Sequence, residues 1–211
     1  MSAQTPARFV VFEGGEGSGK STQARMLAEA LVARGITCVV TREPGGTPGA
    51  EAIRALLLDP GLPEWGTQAE ALLFAAARSD HVAHLIRPAL AEGKWVICDR
   101  YVDSSRAYQG WAAGLGDEAV LALHALGSGG LLPDLTLLLE VAPEVAAARI
   151  AARDRDGADK IGGRGGAFHD RVGEAFAEFA AREPKRFRRI DASGSPDQVH
   201  ARVVSTIEPL L

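Results

Sequence analysis

The sequence RFVVFEGGEGSGKS occupies residues 8–21 and contains the strongest structural signal in the chain. Residues 8–13 form a continuous apolar and β-branched run, which predicts a buried strand. Residues 14–21 match the pattern GxxxxGK followed by Ser or Thr, and the apolar spacing of residues 21–33 predicts a helix. A strand, such a loop and a helix in this order predict a phosphate-binding loop. The alternative, a glycine-rich turn that binds nothing, leaves the lysine and the hydroxyl of this loop unexplained.

The residue types of the loop suit a nucleotide. Its glycines let backbone N–H groups turn inward around a phosphate, and the start of the following helix adds a positive end. We expect Lys20 to bridge the β- and γ-phosphates, and the hydroxyl of Ser21 to ligate Mg²⁺. The ATP-binding residues predicted in this segment are Gly14, Gly15, Glu16, Gly17, Ser18, Gly19, Lys20, Ser21 and Thr22.

Four further apolar runs predict strands. They lie at residues 37–41, 95–99, 134–141 and 187–191, and helical spacing is found at residues 67–91, 143–153, 168–182 and from residue 195 onward. Buried strands that alternate with helices predict an α/β fold with a five-stranded parallel sheet and helices on both faces. Ligands of such sheets bind at the carboxyl ends of the strands. Because no repeat or linker is visible, we expect a single domain over residues 1–211.

The composition excludes several classes of protein. The chain has 211 residues, 46% of them apolar and 24% charged, which is enough for one large domain without disulfide support. No run approaches the roughly 18 apolar residues of a membrane helix, and the start, MSAQTPARFV, lacks the pattern of a secretory signal. We therefore expect no membrane partner and a cytoplasmic protein, with Cys38 and Cys98 reduced. The net charge of −4 disfavours nucleic acid as a partner.

The phosphate-binding loop indicates a nucleotide but does not define the reaction. Guanine-reading GTPases need an Asn-Lys-x-Asp segment, and this chain contains no asparagine. A transporter or helicase motor would normally need a larger chain. These exclusions favour a small kinase that passes the γ-phosphate to a small acceptor.

Four more segments follow predicted strands or lie on the long predicted helix. They are TREPGGT at residues 41–47, FAAAR at 74–78, DRY at 99–101 and SSRAYQG at 104–110. With the phosphate-binding loop, they make the chain resemble the bacterial thymidylate kinases over nearly its whole length. The resemblance implies a P-loop nucleoside monophosphate kinase fold with a lid, transfer of the γ-phosphate of ATP to dTMP to give dTDP and ADP on the route to dTTP, a Mg²⁺ cofactor and a homodimer.

The resemblance implies that Phe74 and Arg78 hold the acceptor base. The two residues are four positions apart, so they share one helix face. An aromatic ring beside a guanidinium can stack on a pyrimidine and donate to its O4 oxygen, whereas cytosine presents an amino donor at that position. A buried unpaired donor costs about 1–3 kcal/mol. The alternative interpretation is that Phe74 fills the core and Arg78 is solvated.

The resemblance assigns the remaining acceptor contacts. Arg100 and Arg54 are implied to bind phosphate, since two arginines can make charge-assisted bidentate contacts with it. Asp99 is implied to act near Mg²⁺. Glu16 is implied to accept a hydrogen bond from the 3′-hydroxyl, and Tyr108 to crowd the 2′ position, although Tyr108 could alternatively pack against the sheet. The complete dTMP-binding set is Glu16, Arg54, Phe74, Arg78, Arg100, Ser105 and Tyr108, and the metal set is Ser21 and Asp99.

A lid over about residues 149–166 is expected to supply the catalytic cation. Some thymidylate kinases carry an arginine in the phosphate-binding loop directly after the acid, but this chain has Gly17 there. The resemblance then leaves Arg153 and Lys160 for the transferring phosphate, with Arg149 stacking on adenine. The alternative is a solvated charged loop. The predicted catalytic set is Lys20, Arg100, Arg153 and Lys160.

Other interpretations of the whole sequence are a P-loop kinase for a different nucleotide and a nucleotide-binding regulator without activity. The set Phe74, Arg78 and Tyr108 favours thymidine, and the intact Lys20 and Arg100 favour catalysis. The histidines, His81 and His84 among them, are expected to be structural. The resemblance suggests a cis bond before Pro44, while the sequence alone indicates only a tight turn.

Overall fold

A computed structural model describes residues 6–153 and 161–211, without the side chain of residue 153. Within that part of the chain, five strands form one parallel sheet in the order β2-β3-β1-β4-β5. The strands are β1 (Phe9–Glu13), β2 (Cys38–Arg42), β3 (Trp95–Asp99), β4 (Leu135–Glu140) and β5 (Phe187–Asp191). The predicted α/β fold is confirmed.

Helices connect the strands and cover both faces of the sheet. They are α1 (Lys20–Ala33), α2 (Pro48–Leu58), α3 (Thr67–His81), α4 (Arg87–Ala91), α5 (Val102–Ser105), α6 (Asp117–Ser128), α7 (Pro143–Arg153), α8 (Gly166–Arg182) and α9 (Pro196–Ile207). Two π-helical segments, Val82–Ile86 and Arg106–Ala112, extend α3 and α5, and the 3-10 turn Glu208–Leu210 follows α9. The predicted helix over residues 67–91 is therefore three consecutive helical segments.

The central strand explains why the sheet has two cores. All five residues of β1 are buried, and their side chains alternate between the faces. Val10 and Phe12 pack with α1 and α9, whereas Phe9 and Val11 pack with the segments around Ile86 and Tyr101. The same alternation places Glu13 on the Phe9 face, at the carboxyl end of the strand.

Two further features concern the cysteines and the apolar length of the helices. Cys38 and Cys98 are free thiols. Among the described helices, none combines the length and the apolar character that a membrane span requires.

Candidate active site

A cavity of about 720 Å³ opens at the carboxyl ends of the strands. It brings together most of the residues that the sequence singled out. Of the predicted site residues that the structure describes, those lining the cavity are Glu16, Gly17, Ser18, Gly19, Lys20, Ser21, Thr22, Arg54, Phe74, Arg78, Asp99, Arg100, Ser105, Tyr108 and Arg149. Gly14 and Gly15 lie in the same loop without lining the cavity. Lys160 and the side chain of Arg153 lie outside the described residues.

The phosphate-binding loop is closed around its own lysine. Lys20 is 6% exposed, and its Nζ donates to the carbonyl oxygens of Gly14 at 3.1 Å and Gly15 at 2.7 Å. The hydroxyl of Ser18 donates to Gly15 O at 2.9 Å. Burial and the nearby positive charge of Arg100 lower the pKa of Lys20 to about 8. The ammonium group of Lys20 is therefore held at the N-terminus of α1, close to Arg100, where a phosphate would contact both positive groups.

The loop touches α7 through Gly17. Its φ of +71° is in the left-handed region, and a Cβ there would stand 2.6 Å from the carbonyl oxygen of Ala146. A side chain at this position would displace the backbone of α7. The geometry therefore explains why the loop carries no arginine after Glu16.

Oxygen ligands meet where α1 begins and β3 ends. The hydroxyl of Ser21 donates to Asp99 Oδ2 in a short hydrogen bond. A hydroxyl and a carboxylate are the hard oxygen donors that Mg²⁺ prefers. The donor set therefore fits the predicted metal site.

Arg100 connects the phosphate-binding loop to the side of the cavity that Tyr108 lines. Its guanidinium donates to Glu16 Oε1 at 2.5 Å, Gly14 O at 3.2 Å and Ser104 Oγ at 3.1 Å. It also lies over the ring of Tyr108, 5.3 Å from the centroid. Arg100 thereby neutralises the acid that sits in a loop built for anions.

The guanidinium of Arg78 is fixed on one side and open on the other. Its Nε donates to Glu43 Oε2 and its Nη2 to Ser105 Oγ, both at 2.7 Å. Among the described residues, Nη1 has no hydrogen-bond partner. Arg78 is 2% exposed, which excludes the solvated alternative. Phe74 packs against a core cluster and also lines the cavity, and its contact with a base stays a prediction.

A buried network behind Arg78 holds its anchor in place. His81 is fully buried, its Nδ1 is 3.0 Å from Glu43 Oε1, and its Nε2 is 2.7 Å from Thr41 Oγ1. The expectation that His81 is structural is consistent with these contacts. Through Glu43, two hydrogen bonds connect His81 to the guanidinium of Arg78.

The segment after β2 folds back over the cavity. The bond between Glu43 and Pro44 is cis, as the resemblance suggests. Arg54 Nη1 donates to Pro44 O at 2.7 Å. Thr47 begins α2 by accepting from Ala50 N at 3.3 Å, and its hydroxyl donates to Asp80 on α3 at 2.5 Å. These contacts place Arg54 on the cavity wall.

Tyr108 lies on the π-helical segment that follows α5. It is 4% exposed and packs in the same cluster as Phe176, and its ring centroid is 6.0 Å from that of Phe168. It also lines the cavity. The structure thus shows the packing of Tyr108, and its contact with the acceptor stays a prediction.

In the predicted lid, residues 149–153 belong to α7 and residue 166 begins α8, whereas residues 161–164 lie in turns and a bend. Arg149 on α7 donates to Gly17 O at 3.4 Å, Ala192 O at 3.0 Å and Gly194 O at 3.1 Å. It therefore joins the phosphate-binding loop to the loop after β5. On the other side, Arg164 contacts Glu70 on α3 through a short ion pair.

Two acidic residues of this site were missed from the sequence. Glu13 ends β1 and Glu43 follows β2, and both are buried. The rule that ligands bind at the carboxyl ends of parallel strands would have found both. For Glu13, the available signal was an acid at the end of a continuous apolar run, and for Glu43 it was the position directly after a strand.

Comparisons with known proteins agree on one family. A model of the thymidylate kinase family matches residues 12–203. A thymidylate kinase of Rhizorhabdus wittichii is 57% identical over 206 residues, 98% of this chain and 99% of its own. One from Rhodopseudomonas palustris is 48% identical over 213 residues, 99% of this chain and 92% of its own. The crystal structure of thymidylate kinase from Ehrlichia chaffeensis is similar with a TM-score of 0.76 at 30% identity, covering 96% of this chain and 99% of that chain.

Proposed function

The chain belongs to the thymidylate kinase family, and we propose that the cavity at the carboxyl ends of its strands is where it carries out the reaction of that family. It transfers the γ-phosphate of ATP to dTMP, giving dTDP and ADP. The main support for placing the reaction in this cavity is Arg100, which contacts Glu16 of the phosphate-binding loop and also the ring of Tyr108 on the acceptor side. A transferred phosphate would pass beside this guanidinium.

On the donor side, the chain supplies positive charge and oriented N–H groups. Lys20 and the start of α1 would bind the β- and γ-phosphates of ATP. Ser21 and Asp99 would hold Mg²⁺, which supplies further neutralisation of the phosphates when bound. Because phosphoryl transfer needs little covalent chemistry from the protein, positioning and charge are the main contributions of these residues.

On the acceptor side, each predicted residue has a place in the reaction. Phe74 would stack on thymine, and Nη1 of Arg78 would donate to its O4 oxygen. Glu16 would accept from the 3′-hydroxyl, and Tyr108 would crowd a 2′-hydroxyl. Arg54 and Arg100 would bind the acceptor phosphate, and Ser105 supports the base site by holding Arg78. The direct test is ADP formation by the wild type with dTMP, dUMP and dCMP, and no activity with dTMP overturns the proposal.

Replacement of Arg78 by alanine is expected to reduce the preference for dTMP over dCMP by about tenfold or more. The reason is that the wild-type guanidinium faces the amino group of cytosine donor to donor, and the variant removes that conflict. The measurement is the ratio of kcat/KM for the two acceptors. Arg87→Ala is the matched control, because Arg87 donates to Ser128 O away from the cavity. An unchanged ratio would place Arg78 outside the base site.

We further propose that a second copy of the chain covers a face formed by α2, α3 and α6. Leu72 on α3 is 56% exposed and Leu126 on α6 is 87% exposed, although the two helices pack together. Leu56 on the neighbouring α2 is 41% exposed. Large apolar side chains clustered on adjacent elements are typical of an interaction surface.

The double change Leu72→Glu with Leu126→Glu is therefore expected to convert a dimer into a monomer. Charges in an apolar interface are buried without partners. Sedimentation equilibrium measures the mass directly. Val32→Glu, on α1 and 61% exposed in the wild type, is the control and should leave the mass unchanged. A monomeric wild type contradicts the proposal.

We also propose cytoplasmic localisation, because both substrates are free nucleotides.

A further inference from the structure

A carboxylate that the proposed reaction does not use lies beneath Arg100. Glu13 is the last residue of β1, and its exposure is 0%. The alternation along the strand directs it toward the turn that follows β3. Buried carboxylates need hydrogen-bond donors or positive charge around them. The partners of Glu13 are therefore informative about its role.

Those partners belong to the turn that carries Arg100 and to α5, which follows it directly. Oε1 of Glu13 accepts from the backbone N–H of Tyr101 at 2.9 Å and of Ser104 at 3.0 Å. Oε2 accepts from the hydroxyl of Ser104 at 2.6 Å. That hydroxyl oxygen in turn accepts from Arg100 Nη1 at 3.1 Å. A continuous chain of hydrogen bonds thus runs from Glu13 through Ser104 to the guanidinium.

The backbone of Arg100 requires such support. Its φ is +67°, and no other non-glycine residue in the described part of the chain has a positive φ. A conformation of this kind persists where the surroundings determine it strongly. Arg100 N also donates to Phe12 O at 2.9 Å. Glu13 accepts from the N–H of Tyr101, the residue after Arg100, so the strained backbone of Arg100 is held on both sides.

We infer that Glu13 is a positioning residue for phosphoryl transfer, which fixes the backbone turn and the Ser104 hydroxyl so that the guanidinium of Arg100 stands beside the phosphate-binding loop. The inference rests on the proposed function, in which Arg100 binds the acceptor phosphate. Glu13 itself does not line the cavity. Its effect on turnover must therefore pass through Arg100.

The charge of Glu13 is sensitive to pH near neutrality. Burial and the nearby Asp103 carboxylate raise its pKa to about 7, against the lowering effects of Arg100 and of the hydrogen bonds from Ser104 and Tyr101. The charged and titratable groups around it are Arg100, Asp103, Lys20, Cys98 and Tyr108. Protonation removes the negative charge that faces Arg100. We expect kcat to fall as the pH falls through about 7.

The test is the variant Glu13→Gln, alone and combined with Arg100→Ala. We expect Glu13→Gln to lower kcat about tenfold, to change KM for ATP little, and to abolish the acid limb near pH 7. Because Glu13 acts through Arg100, the double variant should have the kcat of Arg100→Ala alone. Multiplicative losses in the double variant overturn the inference.

Controls separate positioning from folding and from the proposed function. Asp134→Asn is matched, since Asp134 accepts from Phe9 N at 2.7 Å at the other end of β1, and it should keep wild-type kcat. If Glu13→Gln does not fold, Ser104→Ala interrupts the same chain and should also lower kcat in a non-additive way. Amide exchange at Tyr101 and Ser104, measured by NMR, should accelerate in Glu13→Gln. Unchanged exchange overturns the inference, whereas a wild type inactive on dTMP overturns only the proposed function.

Discussion

Replacement of Lys20 by alanine is expected to lower kcat by about 10²- to 10³-fold, the usual loss when a buried donor to developing negative charge is removed. Lys20 is 6% exposed, and its ammonium group is held by the carbonyl oxygens of Gly14 and Gly15. In the reaction it would exchange these weak partners for phosphate oxygens. The alanine variant leaves the two carbonyls facing the open cavity, where water can satisfy them, so the fold should survive. The measurement is kcat from ADP formation, with circular dichroism to verify folding.

Two further measurements make this result specific to the buried ammonium. Lys94→Ala is the control, because Lys94 pairs with Glu92 at the opposite end of β3 and is 40% exposed. In the wild type, kcat/KM for ATP should decrease as the pH rises through about 8, since the pKa of Lys20 is lowered to that value and its cation is lost above it. Lys20→Arg should shift this limb to higher pH, because arginine keeps its proton there. A folded Lys20→Ala protein with near-normal turnover would contradict the phosphate-binding assignment.

The parts of the fold that the sequence predicted correctly are those encoded locally. Each of the five strands was located to within about one residue at either end, because a buried parallel strand is a short continuous apolar run. The phosphate-binding loop lies in one contiguous segment, so its spacing could be recognised without knowledge of the rest. α6 was missed although Asp117 and Glu118 begin it and Gly129 with φ +60° ends it. An acidic first turn and a glycine after the last turn are signals of a helix, so the local sequence does indicate α6.

What the sequence could not provide is the pairing between distant segments. Glu43 after β2 contacts Arg78 and His81 on α3, and nothing in the local sequence of either segment indicates the partner. Glu13 and Ser104, which are also in contact, are 91 positions apart in the chain, against 35 for Glu43 and Arg78. Such pairs depend on the strand order, which places the end of β1 beside the end of β3. Residue types at strand ends predict a site, whereas the partners within it require the tertiary structure.

The second large effect concerns the arginine that some thymidylate kinases carry after the acid of the phosphate-binding loop, where this chain has Gly17. A Cβ at Gly17 would stand 2.6 Å from Ala146 O, so no arginine can occupy this position while α7 lies against the loop. The same helix brings Arg149 to Gly17 O at 3.4 Å. Residue 153 follows Ala146 by seven positions and Arg149 by four, which is the spacing of one helix face. We therefore propose that α7 and the segment after it supply the missing positive charge, with Arg153 and Lys160 as its sources.

Arg153→Ala and Lys160→Ala are each expected to lower kcat by at least about tenfold, where the upper limit is the roughly 10³–10⁵ that a single arginine can contribute to phosphoryl transfer. KM for dTMP should change less, because charge on the moving phosphoryl group develops mainly in the transition state. The measurements are kcat and both KM values for each variant and for the double variant. Arg182→Ala is the control, since Arg182 is an exposed arginine on α8 that pairs with Glu178. If even the double variant loses less than about tenfold, equivalent to roughly 1.4 kcal/mol, then Lys20 and Arg100 must carry the transition-state charge by themselves, and Gly17 reflects only the close approach of α7.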